Sequence, residues 1–196
     1  MTASSRTPVT SPALILVVSV AVALGLVLVQ PSAEAARPLP NEKEWRADVR
    51  EVMSGGRAYL GRRAERGGRH LAINLDIDNT ALASHYDHGR ATPPVLRFAR
   101  RAHRLDMAVL FNTARPRGDG NLRRAVRMLR RADYPVTRIC GRHRGESVVD
   151  GKQRCRREFR NRGYTLVANV GNRRTDFVGR GYERAYRLPG YGGRLK

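Results

Sequence analysis

The sequence predicts an α/β fold built on a mainly parallel sheet. Two observations carry that reading. Apolar strand-like runs alternate with helix-like stripes between residues 70 and 188, the order expected when each strand is followed by a crossover helix. The run 107–112 is almost continuously apolar, as a strand covered on both faces must be. No period of 20–50 residues recurs, which excludes solenoids and propellers.

The elements follow in order. Residues 1–35 read as a targeting segment: Arg6, then 17 uncharged residues (13–29), then Pro31 and the Ala33-Glu34-Ala35 exit. Cleavage after Ala35 leaves 161 of the 196 residues and a secreted or extracytoplasmic protein. The alternative is an uncleaved membrane anchor, since 17 uncharged residues can just span a thinned bilayer. Residues 36–69 form a linker and an N-terminal helical segment. Asn41 and Glu44 have capping-box spacing, and Trp45, Val49, Val52 and Met53 share one helical face. Gly55-Gly56 breaks that helix, and 57–66 forms a second piece.

The core domain spans 70–196. A strand at 70–76 puts Leu71, Ile73 and Leu75 on one face. Thr92-Pro93 opens a helix as cap and first residue, with Val95, Phe98, Ala99 and Ala102 inward. After the 107–112 strand, Leu122, Ala125, Val126 and Leu129 form the stripe of the next helix. Residues 136–140 read as a short strand, and 152–161 as a helix ending at Gly163. Strands follow at 164–170 and 185–188. Only 32 residues (81–112) lie between Thr80 and Thr113, and a helix and a strand take most of them. The result is a Rossmann-like three-layer sandwich with a minimal flap at 81–91 and no large cap domain.

Charge bounds the partners. Lys plus Arg number 38 against 17 Asp plus Glu, a net +21, and 35 of the 38 are arginine. That excess reads as codon bias more than selection for one ligand, yet it attracts polyanions and anionic surfaces. No nucleic-acid motif accompanies it. The pairs Arg100-Arg101, Arg123-Arg124, Arg130-Arg131 and Arg156-Arg157 fall on polar helix faces and read as solvated surface. Cys140 and Cys155, an even count in an exported chain, point to one disulfide worth about 3 kcal/mol. Two buried free thiols are the alternative. Zinc is disfavoured, because no further Cys or paired His completes four ligands.

In parallel sheets, ligands bind beyond the carboxyl ends of the strands. Those ends deliver Asp76-Ile77-Asp78-Asn79-Thr80, Asn112-Thr113-Ala114-Arg115 and Gly171-Asn172-Arg173-Arg174-Thr175-Asp176, with Lys152 at the start of the helix before the last strand. These types suit phosphoryl transfer. One carboxylate attacks phosphorus and a second handles the leaving-group proton. A hydroxyl and an ammonium hold phosphate oxygens, and hard oxygen ligands suit Mg²⁺. Arg115 and Arg173 sit inside these strings and could touch phosphate. His85, Tyr86 and His88 on the flap are weaker candidates, for substrate stacking or metal.

The strings resemble the four motifs of the haloacid dehalogenase superfamily, and most closely the secreted acid phosphatases of the plant and bacterial class B type. The resemblance implies Asp76 as nucleophile and Asp78 as general acid/base. It implies Thr113, Lys152 and Arg115 around phosphate, and Asp76, Asp78 (through its carbonyl), Asn172 and Asp176 around Mg²⁺. The substrate would be a small phosphomonoester. One departure stands out: the fourth motif usually opens Gly-Asp, and here it is Gly171-Asn172. A similar Gly-Asn-Arg-x-x-Asp string occurs in lipin-like phosphatases of the same superfamily. The competing expectation is a catalytically idle protein of this fold that binds polyanions.

Overall fold

A computed structural model describes residues 38–195. The expected targeting segment and its cleavage point lie outside the described residues. No helix among those described is long and apolar enough to cross a membrane.

The chain opens with α1 (Glu42–Val52), capped by the reciprocal Asn41–Glu44 box that the spacing predicts. It continues through α2 (Gly56–Glu65), β1 (Leu71–Leu75), α3 (Pro93–His103), β2 (Ala108–Pro116) and α4 (Asn121–Arg131). Then come β3 (Arg138–Arg142), α5 (Val148–Asn161), β4 (Thr165–Gly171) and β5 (Arg184–Arg187). The five strands form one parallel sheet in the order β3-β2-β1-β4-β5. The architecture is the three-layer α/β sandwich expected.

Strand order decides which face each helix covers. The steps β1→β2 and β2→β3 go one way and β3→β4 returns, so right-handed crossovers put α3 and α4 on one face and α5 on the other. The two cores agree. Trp45, Ile73, Leu75, Phe98, Phe111 and Leu129 belong to the large core under α1–α4. Ala72, Leu110, Cys140, Cys155, Phe159 and Leu166 form the smaller core under α5. A disulfide joins Cys140 on β3 to Cys155 on α5, with 5.6 Å between the Cα atoms, so α5 is covalently tied to the sheet.

Several boundaries differ from expectation. Helix α5 starts at Val148, capped by Ser147, so Lys152 lies in its second turn and not at its start. Strand β2 runs on to Pro116, which makes Thr113 and Arg115 strand residues. Thr92 stands at the α3 N-cap position, but its buried hydroxyl makes no hydrogen bond. Segment 81–91 is the short flap expected, with its base held down and His85, His88 and Arg90 exposed. Leu82 bridges Ala91, Ala81–Ala83 are buried, and the buried Tyr134 hydroxyl donates to the Ala81 carbonyl (2.7 Å).

Candidate active site

The site lies at the carboxyl edge of β1, β2 and β4. Asp76 extends β1 by one residue, its amide donating to the Val170 carbonyl of β4 (2.9 Å). The chain then turns at Asn79, whose φ of 55° is left-handed, a conformation Asn tolerates. That turn brings Asp78 and Thr80 back beside the strand ends.

Lys152 organises the centre. Its Nζ donates to Asp76 Oδ1 (2.5 Å) and to the Asn112 carbonyl (2.7 Å), and lies 2.7 Å from Asp176 Oδ1. Three donors therefore have three acceptors. The Asn112 side-chain amide in turn donates to the Lys152 carbonyl (2.8 Å), so strand and helix clasp each other at this point. The ammonium is 3% exposed. Burial opposes its charge, but Asp76 and Asp176 together hold its pKa above the ordinary lysine range. For Asp76, burial pushes the carboxyl up to about 6 against the pull of Lys152, with Asp176 adding to the rise.

Asp176 sits on a 3-10 turn (Arg174–Asp176) and accepts the Arg173 amide on Oδ2 (2.9 Å). Its carboxyl lies directly over Gly171, where any side chain would overlap it. Asn172 is buried, with Oδ1 3.5 Å from the Thr80 hydroxyl. Arg173 borders the pocket, and its guanidinium also donates to the Leu195 carbonyl (2.8 Å).

Asp78 has a different environment. Arg115 grips it with two bonds (Nε to Oδ2, 3.0 Å; a terminal nitrogen to Oδ1, 2.7 Å), and Ser84 donates to Oδ1 (2.9 Å). Burial raises the Asp78 pKa, but the Arg115 and Ser84 hydrogen bonds outweigh it and hold the carboxyl below its usual range. Thr113 is buried, its hydroxyl accepting the Arg115 amide (3.3 Å). A pocket of about 310 Å³ opens over this group, walled by Asp76, Asp78, Val148, Lys152, Thr175 and Asp176 among others.

Other sequence candidates fall elsewhere. Tyr86 stacks on Trp45 of α1 (centroids 5.1 Å apart) and donates to the Pro40 carbonyl (2.8 Å), so it is committed to packing and not to a substrate. His85 packs edge-on against Tyr86. His88 lines a separate hollow with Arg90 and Arg131. Among the described residues no group of three or more His, Cys, Asp or Glu side chains converges as a metal centre.

Three contributions escaped the sequence reading. Arg156, read as solvated surface, is 1% exposed and donates to the carbonyls of Asp176 (2.9 Å) and Val178. It faces inward because Lys152, Cys155, Arg156 and Phe159 share the i, i+3, i+4, i+7 stripe of α5. Arg156 thus fastens the turn that carries Asp176. The second is a buried amide pair at the centre of the sheet: Asn74 donates to Asn169 (2.5 Å), which donates to the Asp176 carbonyl (3.0 Å). Two Asn inside apolar strands were a readable signal; Ser84, the third contribution, left none.

No protein-family model matches the chain, and comparison with curated proteins finds no match. The site therefore stands on its own chemistry: the three carboxylates of Asp76, Asp78 and Asp176 face the Lys152 ammonium and the guanidiniums of Arg115 and Arg173, so the formal charges balance. Asp76, Asp78 and Asp176 line the pocket and Asn172 is buried beside Thr80; oxygen donors of these kinds suit a hard dication better than zinc, although the carboxylates are not gathered into a metal centre.

Proposed function

We propose that this chain is an exported Mg²⁺-dependent phosphomonoesterase of the haloacid dehalogenase type, acting on small phosphomonoesters through Asp76. The observation that carries the reading is the Lys152 ammonium bridging Asp76 and Asp176 at the carboxyl edge of a parallel sheet, with Asp78 two residues beyond the nucleophile. Mg²⁺, held by Asp76, the Asp78 carbonyl, Asn172 and Asp176, would offset repulsion between anionic nucleophile and anionic ester.

The residues then divide the work. An Asp76 oxygen attacks phosphorus, the P–O ester bond breaks, and the leaving oxygen takes a proton from Asp78. Water, deprotonated by Asp78, then attacks the aspartyl-phosphate, releasing phosphate and restoring Asp76. While Arg115 grips Asp78 the carboxyl stays ionised and cannot donate. An incoming phosphate dianion competes for that guanidinium, and drawing it away frees Asp78 to act as the acid.

A second reading, a polyanion binder without turnover, is favoured by that same grip and by the neutral Asn172. Phosphate release from p-nitrophenyl phosphate, with Mg²⁺ and with EDTA, in the wild type and in Asp76→Asn, decides between them. Mg²⁺-dependent release that the variant loses supports the enzyme. Absence of release from aryl and alkyl phosphates alike in the wild type overturns it.

A further inference from the structure

Away from the site, four hollows line the α1–α4 face and adjoin one another. The first, about 380 Å³, lies between the end of α1, the start of α2 and α3. It shares Arg50, Pro94 and Arg97 with a small hollow at the α3 N-terminus. That one shares Arg46 and Pro93 with a hollow of about 660 Å³ between α3 and α4. The last, about 350 Å³, shares Asp133 with it and ends at Arg104. Together they make one track that rounds the start of α3 and follows the α3–α4 groove.

The track is cationic and largely unneutralised. Arg50, Arg57, Arg97, Arg104, Arg130 and Arg131 line it, all exposed and none in an ion pair among the described residues. Its only acids, Asp87 and Asp133, are already held by Arg46 (2.9 Å) and Arg100 (3.3 Å). Six unpaired guanidiniums kept together repel one another, and a multivalent anion relieves that repulsion.

We propose that this track binds a linear phosphate polymer of the inorganic polyphosphate kind, independently of any turnover at Asp76. A chain is favoured over a single phosphate because the hollows are continuous and the arginines are spread along them. A bare phosphate chain is favoured over nucleic acid because binding single strands uses aromatic platforms for the bases. The large rings here, Phe98 and Tyr134, are 1% and 3% exposed. Among its lining residues the only exposed aromatic rings are the imidazoles of His88 and His103.

The test is fluorescence anisotropy of the full chain with labelled short-chain inorganic polyphosphate, titrated over a range of salt concentrations. The triple variant Arg50→Gln, Arg57→Gln, Arg97→Gln is compared with Arg157→Gln, Arg160→Gln, Arg162→Gln, which removes the same charge from exposed positions on α5 and its C-cap. The expected result is an affinity loss of about tenfold or more in the first variant and under about twofold in the second. The salt slope of the first should fall by about 2, at roughly 0.7 for each phosphate left without its arginine. Equal losses in both variants, or no binding by the wild type, overturn the proposal. An oligothymidylate that binds as tightly as polyphosphate and depends on the same three arginines overturns it in favour of nucleic acid.

Discussion

Lys152 and Asp76 meet at 2.5 Å although the chain separates them by 76 residues, and neither is reachable by bulk water in quantity. Lys152→Met would leave Asp76 and Asp176 facing each other without their shared cation. Removing one partner of a buried charge cluster costs about 3–5 kcal/mol. Thermal melts at neutral pH should show that loss, and at low pH the loss should shrink as one carboxyl takes up a proton. An unchanged melt would mean the ammonium is not holding the two acids together.

Asp78→Asn removes the expected proton donor and one anchor of Arg115. Turnover should fall most for alkyl phosphates, whose leaving groups need the proton more than aryl ones do. Arg115→Gln should instead raise KM more than it lowers kcat. Equal losses on both substrate classes would remove Asp78 from the acid role.

Arg156→Met strips two hydrogen bonds from the turn bearing Asp176, one to the buried Asp176 carbonyl, which keeps the Asn169 amide, and one to the half-buried Val178 carbonyl. Stability should drop by about 1.5–3 kcal/mol, the range for hydrogen bonds made by a charged group. Activity should need more Mg²⁺. Arg156→Lys keeps the charge but not the fork, and should recover only part of both. Full recovery with lysine would show that charge alone matters.

The Cys140–Cys155 bridge closes 15 residues and holds α5, with Lys152 on it, to the sheet edge. Nonreducing mass spectrometry of the native protein should find it formed. The double variant Cys140→Ser, Cys155→Ser should lose about 3 kcal/mol in denaturant titration. Stability equal to the wild type would count against it.

Glu146 predicts an acid limb to the stability curve. Hydrogen bonds from Arg154, with help from the His143 amide, lower its pKa from 4.5 to about 2. A depressed carboxyl contributes fully above its unfolded pKa and loses that contribution as pH falls through the folded value. The gap between wild type and Glu146→Gln should therefore stand at pH 6 and close between pH 4.5 and 2. A gap constant over that window would sink the assignment.

The order of strands and helices was legible because period and apolarity are local: Ile73 and Leu75, or Val95 and Phe98, announce their faces from spacing alone. Asp76, Lys152 and Asp176 were legible too, since topology sends strand ends to one edge. Their pairing was less so. Lys152 was expected at a phosphate, and all three of its protons are already taken by Asp76, Asp176 and Asn112. Arg115 was expected there as well, and it grips Asp78. Arg156 stayed hidden because a cation on a buried stripe looks identical, in sequence, to one on a solvated face. Such partners are set by tertiary distance, which spacing along the chain does not encode.

The placement of β3 and β5 at the two margins of the sheet has a consequence for solubility. An open margin offers unpaired amides and carbonyls to any strand that approaches, a route to sheet-to-sheet aggregation. Here β3 begins and ends on Arg138 and Arg142, and β5 on Arg184 and Arg187. A second copy approaching either margin meets the same cations it carries, so the molecule resists stacking on itself. Raising the salt concentration screens that repulsion, and concentrated stocks should keep best in dilute buffer.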